Sequence, residues 1–143
     1  MAIATPCIGL CSTTFGDLVC RGCKRYVHEI VGWNSFGDRE RGIVVARLDL
    51  LRGEALRAHA AVSDMARLAE VAAMLRVAAM TPDVQAFEVL RRSAQRWTSL
   101  AQVGCRALAA PDAPVLIRDA IEAEFLRRSR AHFEHDFRVV LDS

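Results

Sequence analysis

PCIGLCSTTFGDLVCRGCKRYVHEIVGW, residues 6–33, holds four of the chain's five cysteines. They are spaced Cys7-x3-Cys11-x8-Cys20-x2-Cys23. An isolated cysteine is usually a small buried hydrophobe, but four within one short loop call for a shared role. Three chemistries suit four neighbouring sulfurs: a pair of disulfides, a tetrathiolate zinc site, or an iron–sulfur cluster. Gly22 lets Cys20-Arg-Gly-Cys23 turn tightly, so that backbone N–H groups can point at the sulfurs as in a metal knuckle. Pro6 and Gly9 flank Cys7 in a similar way. Lys24 and Arg25 follow the last cysteine and can offset thiolate charge. The x3 spacing of the first pair is atypical of paired zinc knuckles, and spacing alone leaves iron–sulfur and zinc both open.

The opening residues MAIATPCIGLC carry neither a basic n-region nor an apolar h-region, so they do not read as a secretory signal. The expected compartment is the cytoplasm, where a cysteine cluster points to metal or redox chemistry before structural disulfides. The four cysteines are therefore the expected metal ligands, holding an iron–sulfur cluster or Zn2+.

The residues around them resemble a known family. Pro6-Cys7-Ile8-Gly9, Cys11, then Cys20, Gly22, Cys23 and Arg25, then Glu29-Ile30 and Trp33, and finally Asp38, Glu40 and Arg41 are similar in order to the small bacterial domain-of-unknown-function 1289 family. The resemblance covers roughly residues 5–50. Tyr26, Val27 and His28 depart from its usual pattern. Members of that family are commonly labelled predicted Fe-S proteins, so the resemblance implies a cysteine-ligated cofactor. It implies no reaction, and it does not reach the chain beyond about Leu51.

The chain after the cysteines reads as helix. Tyr26, Ile30 and Trp33 recur at i, i+4 and i+7, one face of a first helix starting near Lys24. Asn34-Ser35-Phe36-Gly37 breaks it, and Asp38 is the expected cap of a second helix from Arg39 toward Ala60. That helix carries Val44, Leu48, Leu51, Ala55 and Ala58 on one stripe, with Gly53 as a point where it could break. Ser63 or Asp64 caps a third helix bearing Met65, Leu68, Ala72 and Leu75. Thr81-Pro82-Asp83 is a strong start signal for a fourth. Its stripe of Val84, Phe87, Leu90, Ala94, Trp97 and Ala101 extends the expectation to Leu108. After the turn at 111–114, a fifth helix carries Ile117, Ile121, Phe125, Phe133, Phe137 and Val140. No segment alternates with period two over a strand's length, so the expected class is all-α. The expected organisation is a short cysteine-rich metal-binding loop module in residues 1–50, followed by an α-helical bundle in residues 51–143.

Composition excludes several functions. Residues 1–60 carry eight Arg and Lys against six Asp and Glu, and residues 61–143 carry eleven against eleven. Neither half has the basic excess of a nucleic-acid binder. No run of about 18 apolar residues is present, so no membrane span is expected. No phosphate loop, nucleophile elbow or His-Glu-x-x-His motif appears, and the expectation leans away from an enzyme. His28 is an alternative metal ligand, though an exposed place on the first helix is the simpler reading. Cys105 reads as a buried apolar residue. His132, Glu134, His135 and Asp136 read as a solvated helix face, because no second Glu-x-x-His segment exists to complete a metal site. Glu88–Ser93 and Glu124–Ser129 share the pattern Glu-x-Leu-Arg-Arg-Ser, with chance similarity of two amphipathic helices favoured over duplication. Arg91, Arg92 and Arg96, and likewise Arg127, Arg128 and Arg130, could line an anionic surface; self-pairing along the helix is the simpler account. The expected partner is another protein, with oligomerisation open. Electron transfer or redox sensing is the second reading, and nucleic-acid binding through Arg21, Lys24, Arg25, Arg39 and Arg41 the third.

Overall fold

Thr81-Pro82-Asp83 behaves as its residue types dictate. In the computed structural model, which describes residues 3–9, 11–78 and 81–141 with side chains through residue 136, Thr81 Oγ1 accepts the Val84 N–H at 3.3 Å and caps a helix that begins at Pro82. In chain order the helices are α1 (Val27–Gly32), α2 (Asp38–His59), α3 (Met65–Met74), α4 (Pro82–Ser93) and α5 (Pro114–Leu141). Two short strands, β1 (Ala60–Val62) and β2 (Cys105–Ala107), interrupt them. The molecule is mainly helical, as expected, but the expectation of no strand is corrected.

Contacts divide the chain into two units. One comprises Met1–Leu51 with Leu126–Ser143, the other Arg52–Phe125. The first boundary falls next to the expected one, while the last residues group with the cysteine-bearing segment instead of the bundle. α2 and α5 each supply residues to both units. No helix among the described residues is long and apolar enough to cross a membrane.

The second unit is built on apolar burial. Leu56, Leu68, Val71, Phe87, Val89, Leu90, Leu100 and Ile121 are fully buried, and Phe87 packs edge-on against Phe125 with ring centroids 5.4 Å apart. Ala58 and Met65, expected on core stripes, face solvent; Leu56 and Val71 take those places. α2 runs unbroken through Gly53. Asp64, of the two candidate caps, accepts the Arg67 N–H at 3.1 Å at the start of α3.

α4 stops at Ser93 instead of reaching Leu108. Ser93 Oγ donates to the Val89 carbonyl at 2.6 Å and accepts the Trp97 indole N–H at 2.9 Å, a back-bond that competes with helix continuation. Gln102 Oε1 then accepts the N–H groups of Thr98 and Ser99 at 2.7 and 3.0 Å, closing a separate turn. Gly104 follows in the left-handed region at φ +76°. Its carbonyl accepts from Ser63 and Asp64, and this seeds the antiparallel ribbon in which Ala60 faces Ala107, Ala61 faces Arg106 and Val62 faces Cys105. A Cβ on Gly104 would overlap the Asp64 carbonyl oxygen and lie 2.8 Å from the Leu68 nitrogen. Glycine is required there by both conformation and space. Cys105 is buried, as expected, and burial pushes its thiol up to about 12.

In the first unit, α1 starts at Val27, three residues later than expected. Lys24 sits at φ +65°, a conformation that cannot belong to a right-handed helix. Asp38 lies inside α2, not at its cap; Glu40 Oε2 reaches back to the Gly37 N–H at 2.7 Å. Phe133 meets Tyr26 edge-on at 5.1 Å. The side chains of Phe137 and Val140 lie outside the described residues.

Candidate functional site

The turn carrying Cys20 and Cys23 is assembled from the backbone outward. Val19 bridges Tyr26 in antiparallel fashion. Within that bridge the Cys20 N–H bonds the Arg25 carbonyl, and the Lys24 N–H bonds the Cys20 carbonyl, both at 2.9 Å. The left-handed Lys24 closes the turn. It brings Cys20 and Cys23 within hydrogen-bonding reach of each other, and both are buried. Ser12 Oγ accepts the Arg21 N–H at 2.8 Å and ties the preceding one-turn helix, Ser12–Phe15, to this knuckle.

The surroundings favour thiolate at Cys20 and Cys11 and disfavour it at Cys23. Burial would push the Cys20 thiol up, but the backbone N–H groups of Cys23, Ser12 and Gly22 outweigh it and bring the thiol down to about 7. The Thr13 hydroxyl, 2.9 Å from Cys11 Sγ, lowers that thiol too, and its sulfur is near enough to feel the Cys20 charge. Burial pushes the Cys23 thiol up, against the Arg25 Nε–H that donates to its sulfur at 3.3 Å. Cys7 is exposed, and its sulfur accepts the Gly9 N–H at 3.3 Å.

Two cations are buried at this turn. Lys24 is 2% exposed and donates from Nζ to the Gly22 carbonyl at 3.0 Å; Arg25 is 4% exposed. Buried positive charge needs negative charge or strong acceptors nearby, and a thiolate at Cys20 is suited to that.

The structure places Cys20 beside Cys23 and Cys11 near enough to Cys20 to feel its charge, and leaves Cys7 engaged locally at the surface. All five cysteines are free thiols. Among the described residues, no group of three or more His, Cys, Asp or Glu side chains is arranged to hold a metal ion. His28 and the 132–136 segment are solvent-facing apart from the half-buried Phe133.

Behind the knuckle lies a polar framework that sequence reasoning only partly found. Glu29 Oε1 accepts the Tyr26 N–H at 2.9 Å, and both its oxygens receive Arg47 at 2.6 and 2.7 Å. The Arg47 guanidinium also lies over the Tyr26 ring, 3.9 Å from its centroid. Trp33 is buried with Arg25 and Arg41 at 4.9 and 5.5 Å from its ring, while Arg41 Nε donates to the Trp33 carbonyl at 3.0 Å. The Glu-Ile-x-x-Trp run thus anchors α1 to α2 through guanidinium contacts. Arg47 was missed, because an arginine within α2 adds nothing to an apolar stripe. Of the five basic residues weighed for nucleic-acid contact, Lys24 and Arg25 are buried and Arg41 is committed to Trp33.

No curated protein and no solved structure matches the chain. Residues 5–52, the segment that holds the cysteine knuckle and its guanidinium framework, match the family described as Protein of unknown function (DUF1289).

Proposed function

We propose that the cysteine segment is a non-catalytic metal-binding module. Cys7, Cys11, Cys20 and Cys23 would hold an iron–sulfur cluster or Zn2+, and the bound centre would cross-link a loop that has little apolar core of its own. The observation that carries this reading is the burial of Lys24 and Arg25 at a turn flanked by two cysteines. Closure of the site requires Cys7 to leave its local bond with Gly9. The module acts in the cytoplasm and serves a partner protein. Phe15, Leu18, Val31 and Ile43 support the latter, being large apolar side chains exposed on this unit, with Phe15 88% exposed.

Elemental analysis with a visible spectrum, on protein purified anaerobically, tests the proposal. Stoichiometric iron with sulfide, or zinc, is the expected result. The Cys20→Ser, Cys23→Ser double variant should lose the metal and unfold roughly the first 35 residues while the second unit stays helical. Metal retained at full stoichiometry in that variant would sink the reading.

A redox role is the second reading, electron transfer to or oxidant sensing for a partner enzyme. It is favoured by the N–H donors aimed at Cys7, Cys20 and Cys23, contacts of the kind that tune cluster potential. It requires a brown protein that bleaches on reduction, and a colourless anaerobic preparation filled with zinc excludes it. A nucleic-acid role ranks third, since the buried Lys24 and Arg25 are withdrawn from phosphate.

A further inference from the structure

A cavity of about 300 Å³ in the second unit is lined by Arg91, Arg92, Arg96 and Arg118 around Ser93 and Gln95. Four guanidiniums at one opening repel each other unless carboxylates or a ligand balance them. Arg91 is balanced: it grips Glu88 through Nε and Nη2, the shortest contact being 2.7 Å. Arg92 reaches the same carboxylate only at 3.4 Å and also donates to the Leu75 carbonyl. Arg118 directs Nε and Nη2 at a single oxygen of Asp119, whose side chain is 62% exposed; an ion pair so open to water contributes little. Among the described residues Arg96 makes no ion pair or hydrogen bond. Four cations thus face two carboxylates, leaving two positive charges in excess, and Glu88 is further shared with Arg52 at 3.4 Å.

The end of a helix explains part of this. Arginines in the last turn of α4 complement the helix dipole, which accounts for Arg91 and Arg92. It does not account for Arg96, which lies beyond the helix end, or for Arg118, which comes from α5. Ser93 is occupied by Val89 and Trp97, so the side-chain donors left for a ligand are the guanidinium forks and the Gln95 amide. A fork binds carboxylate or phosphate in bidentate fashion. A monocarboxylate satisfies one fork with one charge. A phosphate monoester offers three terminal oxygens and close to two charges, matching the excess and serving more than one fork.

We propose that this cavity binds the phosphate group of a small phosphorylated molecule, with Arg96 and Arg118 as its principal contacts. The cavity is of the size of a small-ligand site. The inference is independent of the cysteine module.

The test is calorimetric titration of the full-length chain with inorganic phosphate at constant ionic strength, with acetate and a short single-stranded DNA oligonucleotide as separate arms. Saturable phosphate binding is expected, weakened about tenfold or more in the Arg96→Gln, Arg118→Gln double variant. Both side chains are partly or wholly exposed, so the variant's melting temperature should stay within a few degrees of the parent's, and a charge-preserving Arg96→Lys variant should retain part of the binding. Absence of saturable binding, equal binding by the parent and the double variant, or acetate binding as tight as phosphate would each overturn the proposal. Oligonucleotide displacing phosphate at much lower concentration would overturn the small-molecule assignment in favour of a polymer.

Discussion

The two units are held together by different physics. In Arg52–Phe125 the buried set is almost wholly apolar, and Ser93 is its one buried polar side chain among the described residues. In the unit of residues 1–51 and 126–143, Lys24, Arg25, Glu29 and Ser129 are buried beside Val19, Tyr26, Trp33 and Leu48. A core of leucine and phenylalanine is stabilised by area removed from water and tolerates much variation of its surroundings. A core of guanidiniums, carboxylate and aromatic faces depends on every partner being present, because a buried charge left alone is costly. A unit of the second kind is the one in which a bound metal would matter most.

The comparison breaks most sharply at Gly104. Replacing it by Ala adds left-handed strain and a backbone overlap that no side-chain movement can relieve; the expected loss is about 5 kcal/mol in the second unit, read as a large fall in its melting temperature by circular dichroism. A loss under about 1 kcal/mol would mean that the ribbon at Gly104 is not the pivot described. Phe87→Ala should come next at about 4 kcal/mol, since it empties a fully buried site against Phe125. Its effect should be confined to apolar packing and change little with salt.

For the first unit the matching experiment is Glu29→Ala. It strands Arg47, whose bidentate partner it is, and should cost about 3 kcal/mol. The double variant Glu29→Gln, Arg47→Met should recover much of that loss, because no unpaired charge remains. Trp97→Phe leaves Trp33 as the sole tryptophan, so its fluorescence reports this unit alone. If the double variant is no better than Glu29→Ala, the pair is not the organising contact. Denaturation of Glu29→Ala should also leave the second unit's transition in place.

The same contrast decides what the sequence could reveal. Helices α3 and α4 were legible because Leu68, Ala72, Val84, Phe87 and Leu90 repeat at helical spacing and Asp64 and Thr81 announce their starts. The overlong fourth helix followed from the same signal: Trp97 and Ala101 continue the period, while what ends α4 is the hydroxyl of Ser93 bonding backward. The ribbon was invisible, since three residues per strand are too few to show alternation. Around the cysteines, the tight turn at Cys20–Cys23 could be read from Gly22. The left-handed backbone falls instead at Lys24, a residue without that bias. Arg47 was hidden because a guanidinium buried against a tyrosine and a glutamate breaks the apolar pattern that marks a core position. The apolar unit was therefore readable in outline and the polar one only in its motif.

The smallest effect expected lies in the pH response of the second unit. Burial would raise the Glu88 carboxyl, but the hydrogen bond and charge of Arg91, with the charges of Arg52 and Arg92, outweigh burial and hold it below its ordinary value of 4.5. A carboxyl whose folded value lies below its unfolded one stabilises the fold fully above the unfolded value and loses that contribution as pH falls through the folded one. The second unit should thus keep its stability from neutrality down to about pH 5 and lose about 1 kcal/mol or less from this group below that. Glu88→Gln should abolish that portion of the acid slope while lowering stability at pH 7, where the parent's carboxylate is charged. Thermal melts of both proteins at pH 7 and pH 4 measure it. Identical acid slopes would show that Glu88 contributes through packing alone, and that the second unit is even more purely apolar than its buried side chains suggest.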